Sequence, residues 1–164
     1  MFQLGNGINY LHNLGIIHRD INPNNIIVND VNDKIYLKII DLSSSKTIGK
    51  EDNVDEMTGN FLYSAPEIIK RIHYDYKVDV WSIGVTLFYI LSRNYPFESE
   101  KNKLGYLGEI IRNNFQINFN QNYWENRSIE VINLISLCLD NVIERLNIDQ
   151  FLNHCWFKKW RKLV

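Results

Sequence analysis

Between two apolar flanks, the stretch GIIHRDINPNNIIV (Gly15–Val28) carries a histidine, an arginine, an aspartate and three asparagines. Polar side chains at that density do not form a core. They make either an ordinary surface turn or a loop built to hold metal and phosphate. Asp20 and Asn25 would supply a carboxylate and an amide oxygen from one loop, and Asp41 brings a second carboxylate after the next apolar run. Phosphoryl transfer asks for this set: a carboxylate to orient the attacking hydroxyl, and hard oxygen ligands to hold magnesium against the phosphates. Residue types alone leave the turn and the phosphate loop both open.

The flanking elements decide whether such a loop is fixed in place. Leu4, Ile8, Leu11 and Leu14 recur at intervals of three and four, so residues 2–15 read as an amphipathic helix with Gly15 at its C-terminal cap. NIIV and KIYLKII are short and β-branched around the turn-rich NDVNDK, which predicts a small hairpin. From Asp41 to Gly59 the chain is polar and without period, a long surface loop of the kind that is usually functional. Beyond SAPEIIK the pattern is helical: 77–92, apolar nearly all round and therefore buried, then 101–113, 128–139 and 147–154. The expectation is a mainly α fold, a helical bundle with a small β-hairpin, in a single domain covering 1–164.

Composition narrows the function classes. The 164 residues are 45% hydrophobic and 23% charged, as in a soluble globular domain, and a net charge of −1 gives no electrostatic reason to bind nucleic acid or an anionic membrane. Cys138 and Cys155 stand alone, without zinc or disulfide spacing, which fits a reducing, intracellular compartment. The N-terminal stretch lacks the pattern of a signal peptide, and the run VDVWSIGVTLFYIL is too short to span a bilayer.

Further landmarks follow the loop in a fixed order. His18-Arg19-Asp20 with Asn25, then Asp41-Leu42-Ser43, Ala65-Pro66-Glu67, DVWSIGV at Asp79–Val85, YPF, and CLDNVIERLNIDQFLNHCWF succeed one another. The series resembles the protein kinase catalytic domain, and within it the calcium/calmodulin-dependent group of serine/threonine kinases. The resemblance implies a kinase C-terminal lobe with the N-terminal β-lobe absent from these residues, a catalytic loop at 18–25 and an activation segment at 41–67. It implies transfer of the ATP γ-phosphate to protein hydroxyls, with ATP and Mg2+ as cofactors and a protein as substrate. Asp20 matches the base, Asn25 and Asp41 the magnesium ligands, and Ile27 the apolar floor under adenine, with Ile26 and Val28 beside it. His18 and Leu42 match members of a regulatory hydrophobic stack. Asp79 would accept backbone amides of the catalytic loop, and Glu67 would pair with Arg145 inside the lobe.

Several positions depart from the family pattern. Asn22 stands where a lysine usually neutralises the γ-phosphate, and Asn60 where a threonine meets that lysine, so a direct Asn22–Asn60 amide pair is expected. Ser43 replaces a glycine, and Asn24 replaces a glutamate that reads basic substrates. Glu56 falls near the usual activating phosphothreonine, where a carboxylate would pair with Arg19. No Gly-rich loop, strand lysine or EF-hand loop occurs in the 164 residues, so autonomous activity is not expected. A non-catalytic, pseudokinase-like binding module is the alternative reading. A small-molecule phosphotransferase is disfavoured by the APE and DVWSIGV segments.

Overall fold

A computed structural model describes residues 1–49, 54–97, 108, 116–119 and 122–158. Helix α1 spans Phe2–Asn13, ending two residues before the predicted limit with Leu14 as its cap, and Gly15 beyond it sits at φ +77°, a left-handed conformation that glycine adopts without penalty. Strand β1 (Ile16–Ile17) follows, then a 3-10 turn at Pro23–Asn25. The predicted hairpin is β2 (Ile26–Val31) against β3 (Lys34–Ile39), antiparallel, with Val28 opposite Leu37. Its turn is only Asn32-Asp33, both at positive φ (53° and 61°) as a two-residue twisted turn requires, so the strands reach into what the sequence marked as linker. The side-chain amide of Gln3 acts as a peptide surrogate on β3, donating to Ile35 O and accepting from Leu37 N at 2.7 Å each. That fastens the hairpin to α1.

The loop from Asp41 is less irregular than its sequence suggests. Lys46–Thr47 forms β4, antiparallel to β1, and Ile48 N donates to Gly15 O at 2.8 Å. Two residues of polar sequence carry no strand signal; the partner strand supplies it. A short helix α2 (Pro66–Ile69) precedes α3 (Lys77–Ser92). As its all-round apolarity predicts, α3 is buried along nearly its whole length. Trp81 stacks on Phe97 with ring centroids 5.6 Å apart. Helix α4 (Ile129–Cys138) is capped by Ser128, and α5 (Ile148–Asn153) by a reciprocal box between Asn147 and Gln150, both bonds 2.9 Å. The predicted helix at 101–113 lies outside the described residues save Gly108. No helix among the described residues is long and apolar enough to cross a membrane.

The bundle is mainly α, as expected, with its core around α3. At Gly84 the two helices α3 and α4 meet closely: an added Cβ would lie 2.6 Å from Cys138 Cβ and 3.0 Å from Leu139 Cδ2. Alanine gains about 1 kcal/mol in helix propensity over glycine, but overpacking costs about 1–3 kcal/mol. Cys138 Cβ is anchored to backbone and cannot swing aside, so the steric term wins. Gly84→Ala should therefore lower the urea midpoint of residues 1–164; a raised midpoint would show that the two helices part freely.

Candidate active site

The 18–25 loop hangs from a buried carboxylate. Asp79, in the first turn of α3 and fully buried, accepts Arg19 N at 2.8 Å on Oδ1 and His18 N at 2.9 Å on Oδ2. His12 Nε2 lies 2.8 Å from the same Oδ2, a third partner that the sequence did not suggest. Two backbone bonds to one side chain hold Arg19 at φ 66°, a conformation that costs on the order of 1–3 kcal/mol without such support. His18 is wholly buried; its Nδ1 accepts Asp20 N at 3.3 Å and its Nε2 has no partner among the described residues.

Downstream of Asp20 the chain closes into the 3-10 turn. Asn22 caps it, its side-chain oxygen accepting Asn24 N at 3.0 Å, and Pro23 supplies a preset φ for the first position. Around the Asp20 carboxylate three donors converge: Asn22 Nδ2 at 3.0 Å and Asn60 N at 2.8 Å on Oδ1, and Asn25 Nδ2 at 2.8 Å on Oδ2. The expected Asn22–Asn60 amide pair is therefore corrected. Both residues turn to Asp20 instead, Asn60 through its backbone, while the Asn60 side-chain oxygen accepts Leu62 N at 3.2 Å. Gly59 makes the approach possible: at φ +78°, a Cβ there would sit 2.3 Å from Arg19 O.

Asp41 stands close by through the backbone. Ile40 N donates to Asn25 O at 3.0 Å, so Asp41 is one residue beyond a direct link to the other proposed metal ligand. It sits at φ 64° with an exposed carboxylate that accepts Ser43 N at 3.0 Å. Bonding to Ser43 holds that carboxylate below the ordinary range, with a smaller contribution from the nearby His18. With the Asn25 Nδ2 committed to Asp20, its amide oxygen takes no protein donor among the described residues. A free amide oxygen and an exposed carboxylate are the hard donors that a magnesium ion accepts.

The strand alternation divides the proposed adenine floor. Ile26 and Val28 face one side of the hairpin, towards a cleft of about 520 Å³ that Phe2, Leu37 and Trp156 also line. Ile27 points to the opposite face and is 42% exposed. The three do not form one surface. Leu42 is 54% exposed, so a stack with the buried His18 needs a further surface laid over it.

The Arg19–Glu56 ion pair is present. Arg19 Nη1 meets Glu56 Oε2 at 2.9 Å, while Nε donates to Ser44 O at 2.6 Å. Two partners come from outside any sequence motif. Lys46 Nζ bonds Glu56 Oε1 at 2.9 Å, and Tyr74 bridges, accepting from Arg19 at 3.1 Å and donating to Glu56 O at 2.9 Å. The other predicted pair is also formed: Arg145 clasps Glu67 with two bonds, 2.5 and 3.1 Å, and its guanidinium lies 4.8 Å over the Trp81 ring.

Residues 1–157 match the protein kinase domain family. The chain belongs to that family. It is 36% identical over 162 residues to calcium-dependent protein kinase 5 of Plasmodium berghei (strain Anka), a match covering 98% of this chain and 28% of that protein. The DNA damage response protein kinase DUN1 of Saccharomyces cerevisiae is 34% identical over 94% of this chain and 33% of its own. Myosin light chain kinase A of Dictyostelium discoideum is 33% identical over 95% of this chain and 52% of its own. The kinase-family chain thus spans about half or less of the length of these relatives.

Glu56 gives the site a pH signature. Its bonds to Lys46 and then Arg19 hold the carboxyl below the usual range, so the folded state favours the ionised form. The contribution is complete above the ordinary carboxylate range and is lost as pH falls through the depressed value. Hydrogen exchange of residues 54–63, corrected for intrinsic rate, should therefore accelerate on acidification in the native chain. In Glu56→Gln it should be faster at neutral pH and change little with acid; equal protection in both would mean that the pair does not hold the segment.

Proposed function

We propose that residues 1–164 form the C-terminal lobe of a serine/threonine protein kinase, with the catalytic loop at 18–25 and the activation segment at 41–67. The whole protein then transfers the γ-phosphate of ATP to hydroxyls of a protein substrate inside the cell. The observation that carries this reading is the Asp20 carboxylate gripped by Asn25, whose own amide oxygen is left free, with Asp41 one residue beyond the Ile40–Asn25 link.

In this reading Asp20 orients the substrate hydroxyl and takes its proton. Asn25 and Asp41 hold magnesium, which supplies neutralisation of the phosphate charge. Ile27 meets the adenine from the hairpin side. Arg19, Lys46 and Tyr74 hold Glu56, so the segment carrying Gly59 and Asn60 stays against Asp20 without a phosphate group. Phosphotransfer by 1–164 alone should be undetectable, because base and metal ligands without a Gly-rich loop and strand lysine lack most of the positioning effect.

In the full-length protein with Mg-ATP and a protein substrate, Asp20→Asn should reduce kcat by about 10²–10⁴-fold, the usual worth of a positioned base, with little change in the KM for ATP. A variant as fast as the native protein would end this reading. The apolar cleft bounded by Met1, Phe2, Ile35, Ile90, Trp156 and Phe157 favours a second one, a binding module that moves no phosphate. Wild-type full-length protein inert towards Mg-ATP would select it.

A further inference from the structure

The hydrogen-bond accounting around Asp20 goes a step further, resting on the phosphotransfer reading above. We propose that Asn22 is a positioning residue, one half of a paired amide clamp that leaves Asp20 Oδ2 as the only carboxylate oxygen open to the substrate hydroxyl. Two side-chain amides grip Asp20 in parallel. Asn22 Nδ2 donates to Asp20 O at 3.1 Å and to Oδ1 at 3.0 Å; Asn25 Nδ2 donates to Asp20 O at 2.9 Å and to Oδ2 at 2.8 Å. An amide NH2 has two hydrogens, and each of these groups uses both. The orientation of both amides is fixed by the same fact, since a carbonyl and an ionised carboxylate only accept.

An ionised carboxylate oxygen takes about two donors. Oδ1 already has two, from Asn22 and from Asn60 N at 2.8 Å, and the backbone at Gly59 closes that side, a Cβ there lying 3.3 Å from Oδ1. Among the described residues Oδ2 has one donor, which leaves one position open. The substrate proton therefore passes to Oδ2. As it does, the hydroxyl oxygen bonds to the γ-phosphorus, and the bond from that phosphorus to the leaving oxygen breaks, its electron pair departing with ADP.

The same accounting removes Asn22 from the phosphate. Its oxygen is taken by Asn24 N at 3.0 Å, both of its hydrogens by Asp20, and only 3% of the residue is exposed. It cannot donate to a phosphate without releasing the base. The asparagine that stands where the family pattern has a cation is thus turned inwards, and its contribution reaches the reaction through Asp20.

Two measurements test this. In 1–164, hydrogen exchange of the Asn22 side-chain amide by NMR should be at least about tenfold slower than that of the exposed Asn29, a protection expected of a buried, doubly bonded group. Exchange as fast as at Asn29 overturns the clamp whatever the activity. In the full-length protein, Asn22→Ser keeps an oxygen to cap the turn but loses the reach to Asp20. Its kcat should fall about tenfold or more with the KM for ATP unchanged, as for a group acting only through the base. A raised KM at constant kcat would make Asn22 a phosphate contact, and no change in either would leave it without a part; each result overturns the proposal. A silent wild-type protein rejects the phosphotransfer reading and the acceptor assignment with it, while the amide exchange still decides the clamp.

Discussion

Asp79 is the group on which the site depends. A carboxylate with no solvent exposure is destabilising unless it is hydrogen-bonded, and here His18 N, Arg19 N and His12 Nε2 converge on it. The donors come from α1 and from the loop, the acceptor from the first turn of the most deeply buried helix. One side chain thus fixes the angle at which the polar loop leaves the core. It also enforces the left-handed backbone at Arg19, which no local preference of arginine would produce.

That enforced turn sends consecutive residues in different directions. The Arg19 backbone stays on Asp79 while its side chain runs out to Ser44, Glu56 and Tyr74. Asp20, next in sequence, faces Asn22, Asn25 and the amide of Asn60. Residues 54–60 are held to the loop by an ion pair at Glu56 and, as a second point, by a backbone amide at Asn60. The second point orients the carboxylate itself. A displacement of the Glu56 end would withdraw Asn60 N from Asp20 Oδ1, which couples the order of the segment to the geometry of the base without any longer pathway.

Most of the core site was legible because its chemistry lies in residue types at short, fixed spacing. Asp79 accepts the loop amides and Glu67 pairs with Arg145 as the motifs led one to expect, and the helices announced themselves by period and caps. What escaped was long-range or backbone-borne. Nothing in the letters at Tyr74 or Lys46 signals that both close on Glu56, and β4 has no strand pattern of its own, only a partner. The Asn22–Asn60 pair failed because two matching side chains suggested a side-chain contact, whereas a glycine at position 59 let the backbone of Asn60 arrive first. The grouping of Ile26, Ile27 and Val28 failed for a simpler reason: neighbours along a strand face opposite ways.

The departures from the family pattern share one currency, which is charge. Asn22 brings none, and among the described residues Arg19 and Lys46 are both drawn to the carboxylate of Glu56. A carboxylate carries about half the charge of a phosphate, so two cations around it leave a net positive balance that falls off over a Debye length of about 8 Å. Close to Asp20 itself, the donors are uncharged amides. Neutral donors orient a carboxylate as well as cations do, without binding it so tightly that it ceases to accept a proton. Under the proposed function, a metal held by Asn25 and Asp41 would meet part of the charge that develops on a transferring phosphoryl group, while the amides around Asp20 would set the geometry of the base.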